Sequence, residues 1–173
     1  VDGVVTPLLT HCAALEDDAS AFVIACYSDP GLAAVREQSA RPVVGIAEAS
    51  ILTAMTMGQR FGIISILSKS IPRQMRYVGA MGVMDRLAAD MPLELGVLEL
   101  ADENRTFERL KDVGTQLRDT AMADVLILGC AGMTAFRTDL ENYLGVPVVE
   151  PCQAAVAMAI GRVALQKTRL EKA

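Results

Sequence analysis

Tryptophan is absent from the sequence, histidine occurs once, and only 4% of the residues are aromatic. The sequence also lacks a cluster of Lys and Arg, and its 16 basic residues are outnumbered by 21 acidic ones, for a net charge of −5. A protein that holds nucleic acid or anionic lipid through phosphate groups needs a basic surface, so we expect neither partner.

Long apolar segments are missing as well. The longest apolar runs are far shorter than the roughly 20 residues that span a bilayer. No basic segment followed by an apolar one indicates an export signal. We therefore expect a cytoplasmic protein that has no membrane partner.

The sequence has no cysteine pattern that is typical of a metal site or a disulfide framework. Zinc sites need closely paired ligands, and no Cys-x-x-Cys is present, so we expect no metal. Without an export signal, a disulfide framework is also not expected. A free cysteine is ordinarily a small buried hydrophobic residue, so a functional thiol must be identified by its position. The four thiols are Cys12, Cys26, Cys130 and Cys152.

What the sequence does contain is 52% hydrophobic residues, arranged in short runs between turn signals and helical patterns. Short apolar runs of this kind are typical of strands that are buried on both faces. Strands that alternate with helices predict an α/β fold with parallel sheets flanked by helices. The predicted strands are residues 21–25, 42–45, 61–67, 95–100, 124–129 and 147–149. The predicted helices are residues 32–39, 47–57, 72–82, 104–121, 134–144 and 153–170.

Two stretches of the sequence resemble each other. Each contains an apolar strand that ends in a cysteine, then a helix, a Pro-Val-Val strand and an Ala-rich helix. The separation is 16 residues in the first copy, from Cys26 to Pro42, and 17 in the second, from Cys130 to Pro147. We interpret this pattern as an internal repeat that has a thiol at the same structural place in each copy.

The repeat predicts two pseudo-symmetric lobes, with an active site in the cleft between them. Residues 1–58 together with the last helix, 152–173, form the first lobe, and residues 59–151 form the second. The second copy is preceded by two further strand–helix units, whereas only a helix precedes the first. We therefore expect the first lobe to lack its N-terminal part.

Cys26 and Cys130 each follow a predicted strand, at the end of a parallel sheet where ligands bind. The N-terminus of the next helix favours the thiolate, which predicts a lowered thiol pKa and a base near neutral pH. Small or turn-forming residues after each thiol bring backbone N–H groups close to a ligand. These residues are Tyr27 and Ser28 in the first copy and Ala131 and Gly132 in the second. The next residue, Asp29, is equally well interpreted as a helix cap.

If the two copies face each other, one thiol approaches each face of a flat intermediate. One thiolate would remove a proton from carbon, an enolate would form, and the opposite thiol would return a proton. This reaction needs no cofactor if donors around the carbonyl stabilise the enolate.

At this point the residues resemble the hydantoin/allantoin racemases of the aspartate/glutamate racemase superfamily. The segments that carry the resemblance are 25–31, 44–49, 65–68, 71–73, 128–133 and 149–155. The resemblance implies cofactor-independent racemisation beside a carbonyl in a cyclic ureide, either a 5-substituted hydantoin or allantoin. It implies catalytic roles for Cys26 and Cys130, backbone donors at 27, 28, 131 and 132, and pocket-lining roles for Ser65 and Ser68. Family members open with a strand that ends in an Asn-Pro-Asn-like segment, and this sequence contains no match to it.

Several alternatives stay open at this stage. The residues after the thiols offer mainly backbone and hydroxyl groups, which favours a neutral substrate over one with charged groups. An amino-acid racemase or a diacid cis–trans isomerase of the same superfamily ranks behind the ureide racemase, followed by a non-catalytic α/β ligand-binding module. Cys12 and Cys152 are interpreted as structural, with a position of Cys152 beside the pocket as the alternative. Besides a small-molecule substrate, a homo-oligomer is left open as a partner.

Overall fold

The computed structural model describes residues 2–170, which form an α/β structure with two parallel sheets. The first half contains α1 (Val5–Ala14), β1 (Phe22–Ile24), α2 (Leu32–Gln38), β2 (Val43–Gly45) and α3 (Ile46–Met57). The second half contains β3 (Phe61–Ser65), α4 (Ile71–Ala80), β4 (Leu87–Pro92), α5 (Glu103–Asp119), β5 (Val125–Leu128), α6 (Arg137–Leu144), β6 (Val148–Val149) and α7 (Pro151–Leu170). Residue 1 and residues 171–173 lie outside the described residues. Residues 171–173 are the end of the segment 152–173 that is predicted to belong to the first lobe.

Both sheets are entirely parallel. β1 pairs with β2, and the second sheet has the order β4-β3-β5-β6. The central strands β3 and β5 are buried at every residue, which explains why they are continuous apolar runs in the sequence. The predicted fold class, parallel sheets flanked by helices, is therefore confirmed.

The repeat is visible in the sheet topology. β1 ends just before Cys26 and β5 just before Cys130, and each pairs with a Pro-Val-Val strand, β2 or β6. Within residues 2–170, the first sheet has no strands that correspond to β3 and β4 of the second sheet.

The prediction of a strand over residues 95–100 is wrong. The fourth strand is β4, which pairs with β3 along its length, and the predicted segment is instead a loop that ends in a 3₁₀ turn at Glu99–Ala101. Its apolar residues are divided between core and surface, since Leu95 is buried and Leu98 is exposed. The Ala-Ala-Asp centre of β4 has low strand propensity, so its conformation comes from pairing with β3 rather than from its own residues.

The predicted helices are present, with shifted ends. The one substantial difference is the helix predicted over residues 134–144, where Ala131–Phe136 forms a 3₁₀ helix and α6 begins only at Arg137. None of the helices within the described residues is long and apolar enough to cross a membrane.

The Ala-rich helices α3 and α7 pack against each other beside the second sheet. Their small side chains, including Ala49, Ala54, Ala155 and Ala159, are buried in one apolar cluster that also contains Ile63 and Ile127 of the sheet. α7 also contacts β1 and β2. The packing therefore joins the two sheets through the helix that follows each Pro-Val-Val strand.

Candidate active site

A cleft of about 310 Å³ lies at the carboxyl ends of β1, β3 and β5, where open parallel sheets bind ligands. Both predicted catalytic cysteines line it, with Cys26 after β1 and Cys130 after β5. The cleft also contains the four residues predicted to follow the thiols: Tyr27, Ser28, Ala131 and Gly132. Six of the eight predicted site residues are thus brought together.

Each cysteine sulfur contacts the residue two positions further along the chain. The Cys26 Sγ lies 3.3 Å from the Ser28 hydroxyl, and the Gly132 N–H donates to the Cys130 Sγ at 3.4 Å. A donor at this position stabilises negative charge on sulfur. The two copies therefore use different chemical groups, a hydroxyl and a backbone amide, at the equivalent place.

The two thiols differ in exposure. Cys26 is exposed, whereas Cys130 is half-buried. Burial raises the pKa of the Cys130 thiol and the charge of Cys26 adds to this, while the Gly132 N–H opposes it. The prediction of a lowered pKa is therefore wrong for Cys130. The turn after it is a 3₁₀ helix of six residues rather than an α-helix, and its effect is weaker than desolvation.

The backbone donors of the cleft are fewer than predicted. The Ser28 N–H donates to the Cys26 carbonyl at 2.7 Å, and the Gly132 N–H is directed at sulfur. The N–H groups of Tyr27 and Ala131, which directly follow the cysteines, have no acceptor among the described residues. One backbone amide from each copy thus has no acceptor among the described residues.

Ser65 and Ser68 do not line the cleft. Ser65 is fully buried behind it, where its hydroxyl lies 2.5 Å from both Gln74 Oε1 and Asp90 Oδ1. Ser68 is exposed on the 3₁₀ turn before α4. The role of either serine in contacting substrate stays a prediction.

The sequence reasoning missed the polar residues at the start of α4. Arg73 and Gln74 line the cleft and also a neighbouring cavity of about 270 Å³ that includes Tyr27. The Tyr27 hydroxyl and the Arg73 Nε are both buried without a hydrogen bond partner among the described residues. A signal was present: Pro72 indicates a helix start directly after β3, and the first turn of such a helix faces the ligand end of the sheet.

Asp29 is a helix cap, but of α3 rather than of the helix that directly follows it. Its carboxylate accepts from the N–H groups of Ala47 at 3.0 Å and Glu48 at 2.9 Å, and from the Tyr77 hydroxyl at 2.7 Å. Burial raises the pKa of Asp29 although these bonds oppose it. Gly45 makes this possible, because a Cβ there would lie 2.2 Å from the carboxylate.

Glu150 caps α7 in the same way. Its carboxylate accepts from the N–H groups of Cys152 at 2.9 Å and Gln153 at 2.6 Å, and from the Thr134 hydroxyl at 3.1 Å. The side chain is only 2% exposed. Buried carboxylates bound to first-turn amides are among the strongest helix caps.

The remaining two thiols are not part of the cleft wall. Cys12 is buried in an apolar cluster with Leu32 and Val35. Cys152 is half-buried, and burial together with the neighbouring Glu150 raises its pKa to about 11. Within residues 2–170, no group of three His, Cys, Asp or Glu side chains is placed to hold a metal ion.

The fold is thus an α/β protein whose parallel sheets each carry a cysteine at the end of an equivalent strand, with both thiols in one cleft. The family model for Asp/Glu/hydantoin racemases matches residues 1–159. The chain belongs to this family, which confirms the resemblance found in the sequence.

The relatives that match the chain include proteins named hydantoin racemase. The chain is 40% identical to one from Paenarthrobacter aurescens over 151 residues, which cover 87% of this chain and 64% of that protein. It is 37% identical to one from Pseudomonas sp. (strain NS671) over 145 residues, which cover 83% of this chain and 58% of that protein. The chain therefore spans less than two thirds of the length of these relatives.

A solved structure extends the comparison to three dimensions. The allantoin racemase from Klebsiella pneumoniae superposes with a TM-score of 0.89 at 30% sequence identity. The superposition covers 94% of this chain and 67% of that chain.

Proposed function

We propose that the protein is a cofactor-independent racemase of a cyclic ureide, a 5-substituted hydantoin or allantoin. The observation that carries this proposal is the placement of Cys26 and Cys130 in one cleft, at the ends of equivalent strands. The hydantoin racemase relatives and the allantoin racemase structure support the ureide as the substrate class.

In the proposed reaction, one cysteine acts as a thiolate and the other as a thiol. The thiolate takes the proton from the ring carbon beside the carbonyl, so that an S–H bond forms, the C–H bond breaks and the electron pair moves to the carbonyl oxygen. The thiol then donates its proton to the opposite face of the carbon, and the enolate electrons form the new C–H bond. The product is the other enantiomer, and the cysteines have exchanged protonation states.

The local environments favour unequal starting roles for the two thiols. Burial raises the pKa of the Cys130 thiol, and negative charge on Cys26 raises it further. An exposed thiol beside a hydroxyl and a half-buried thiol beside an amide suit a reaction that needs one base and one acid at a time. We therefore assign the role of the more accessible base to Cys26, whose Sγ lies 3.3 Å from the Ser28 hydroxyl.

The enolate oxygen requires hydrogen bond donors that are aimed into the cleft. The free N–H groups of Tyr27 and Ala131 are suited to this role, since each follows a catalytic cysteine and has no other acceptor among the described residues. Removal of one such donor typically slows an enzyme by about 10²- to 10³-fold.

Arg73 supports a second candidate function. Its guanidinium lines the cleft, and its Nε has no partner among the described residues. A cation at this place would suit an amino-acid racemase or a diacid isomerase, whose substrates carry carboxylates. A non-catalytic ligand-binding module is the third possibility, and it predicts no turnover of either substrate class.

The test is a polarimetric assay of the full-length protein with enantiopure 5-benzylhydantoin, allantoin, glutamate and aspartate, against a protein-free blank. We expect loss of optical rotation with a cyclic ureide. Cys26→Ser and Cys130→Ser should each lower kcat by at least about 10³-fold, because each removes an essential acid or base.

Deuterium exchange in D₂O separates the two thiols. Each single variant keeps one cysteine, so it should exchange the ring-carbon proton of one enantiomer only, and the two variants should prefer opposite enantiomers. Full racemisation by Cys130→Ser would contradict the two-thiol mechanism. Racemisation of glutamate or aspartate without turnover of ureides would favour the second candidate.

Three further expectations stay predictions: the division into lobes at residues 1–58 with 152–173 and at 59–151, the cytoplasmic location, and a homo-oligomer. The contacts of α7 with β1 and β2 support its assignment to the first lobe.

A further inference from the structure

The Ser65 hydroxyl lies between two acceptors. It is 2.5 Å from Gln74 Oε1 and 2.5 Å from Asp90 Oδ1, and Ser65 is fully buried. A hydroxyl carries a single proton, so it cannot donate to an amide oxygen and an ionised carboxylate at the same time. One of the two neighbours must therefore supply a proton of its own.

Two arrangements satisfy all three groups. If Asp90 is neutral, its O–H donates to Ser65, and Ser65 donates to the Gln74 oxygen, which leaves the Gln74 NH₂ pointing away. If Asp90 is ionised, it accepts the Ser65 proton, and the Gln74 carboxamide must turn so that its NH₂ donates to Ser65. The outer atom of the Gln74 carboxamide is the one that faces away from Ser65. It is the NH₂ donor in the first arrangement and the oxygen acceptor in the second.

The outer end of Gln74 faces the cleft. The residue is 6% exposed and lines both the thiol cleft and the neighbouring cavity. Its amide nitrogen has no hydrogen bond to the described residues and, unlike the Tyr27 hydroxyl and the Arg73 Nε, is not sealed from the cavity. It is an unused polar group beside the two thiols.

We propose that Gln74 positions the substrate in the thiol cleft and that Asp90, acting through Ser65, sets which end of its carboxamide faces the substrate. This inference rests on the proposed function. A cyclic ureide offers ring carbonyl oxygens as acceptors and ring N–H groups as donors. The productive arrangement is the one with the NH₂ outward, because it donates to the oxygen on which the enolate charge develops.

The surroundings of Asp90 support a neutral carboxyl in the productive arrangement. Burial raises the pKa of Asp90 to about 6, although the hydrogen bond with Ser65 opposes this. Its Oδ2 is buried without a hydrogen bond partner among the described residues, and such a site is far costlier for a carboxylate than for a neutral acid. Asp90 makes no ion pair with a described residue.

The elements packed around Asp90 bring few charges to it. β3 has no charged residue, and Tyr27, from the loop after β1, is a titratable group that interacts electrostatically with Asp90. α4 carries Arg73, Arg76 and Tyr77. Arg109 of α5 donates to the Leu93 carbonyl, directly after the end of β4. The protonation of Asp90 is therefore governed mainly by burial and by Ser65.

The experiment compares pH profiles of kcat/KM for racemisation of 5-benzylhydantoin by the full-length protein between about pH 5 and pH 8. Asp90→Asn keeps a permanent donor to Ser65 and mimics the neutral acid. We expect its kcat/KM to match that of the wild type near pH 5 and to exceed it by at least about fivefold near pH 8, since the wild-type carboxyl ionises in between.

Further variants test the positioning role. Gln74→Leu should lose at least about tenfold in kcat/KM at every pH, because the donor is absent. When Ser65→Ala is already present, adding Asp90→Asn should no longer change the pH profile, since the connection to Gln74 is broken. Thr106→Val removes another fully buried hydroxyl, away from the cleft, and should leave the pH profile unchanged.

The outcomes separate this inference from the proposed function. Absence of racemisation by the wild-type protein would overturn the proposed function, and the inference with it. Racemisation by the wild type with identical pH profiles for wild type and Asp90→Asn, or with Gln74→Leu within twofold of wild type, would overturn the inference alone.

Discussion

The two copies of the repeat place a buried carboxylate on equivalent backbone amides, but from different points in the chain. In the first copy Asp29, three residues after the cysteine, binds the N–H groups of Ala47 and Glu48. In the second copy Glu150, directly after the Pro-Val-Val strand, binds those of Cys152 and Gln153.

One copy cannot contain both of these carboxylate caps at the same helix start. Counted from the shared proline, Gly45 in the first copy corresponds to Glu150 in the second. The Asp29 carboxylate occupies the space that a side chain at position 45 would need. The comparison teaches that the position of the carboxylate at the helix start is common to both copies, whereas the residue that supplies it is not.

The two copies also differ in the surroundings of their thiols. Cys26 is exposed beside a hydroxyl, and Cys130 is half-buried beside an amide. A repeat that is nearly symmetric in sequence therefore contains two chemically unequal sulfur atoms. This inequality suits a reaction in which one thiol starts as the base and the other as the acid.

The largest expected effect comes from Gly45→Ala. The added Cβ would displace the Asp29 carboxylate from two helix amides, so we expect the free energy of unfolding to fall by about 3 kcal/mol. Denaturant unfolding of the full-length protein measures it. Gly161→Ala, where nothing lies within 4 Å of the new Cβ, is the matched control and should be neutral or slightly stabilising.

A double variant sharpens this comparison by transferring the second cap to the first copy. Asp29→Ala combined with Gly45→Glu should be more stable than Asp29→Ala alone by about 1 kcal/mol, because the new carboxylate can reach the same amides. If Gly45→Ala is as stable as the wild type, or if the double variant gains nothing, the two caps are not equivalent.

Alkylation tests the inequality of the two thiols. Near pH 7, iodoacetamide should modify Cys26 at least about threefold faster than Cys130, since burial raises the pKa of Cys130 and limits access to it. Peptide mass spectrometry gives both rates. In the Cys26→Ser variant, Cys130 should react faster than in the wild type, because the neighbouring charge is gone. Faster modification of Cys130 than of Cys26 in the wild type would reverse the assigned roles.

The smallest effect is expected from Cys152→Ala. The pKa of Cys152 is raised to about 11, so this thiol stays protonated near neutral pH and cannot act as the base. We expect kcat/KM for ureide racemisation to stay within about twofold of wild type. A tenfold loss would instead place Cys152 in the site.

Much of the fold follows from local patterns. β3 and β5 are apolar runs of strand length, and the cysteines follow strands at the end of the sheet where ligands bind. β4 could not be found in this way, because its strand conformation depends on pairing with β3. The apolar run at 95–100 is a loop for the same reason: β4 already occupies the sheet edge beside β3.

The residues of the candidate site also differ in whether local sequence patterns could predict them. Residues adjacent to the cysteines reach the cleft because they are covalently next to the thiols. Gln74 and Asp90 reach Ser65 only because α4 and β4 pack against β3, and no spacing in the sequence indicates those contacts.

By itself, the sequence determined the α/β class, the repeat, the family and the two cysteines at strand ends, since each of these is written in local order and spacing. Only the tertiary structure decided that the Cys130 pKa rises rather than falls, that Asp29 caps a distant helix, and that Gln74 lines the cleft. These properties depend on desolvation and on contacts between segments far apart in the chain, and such contacts exist only after folding.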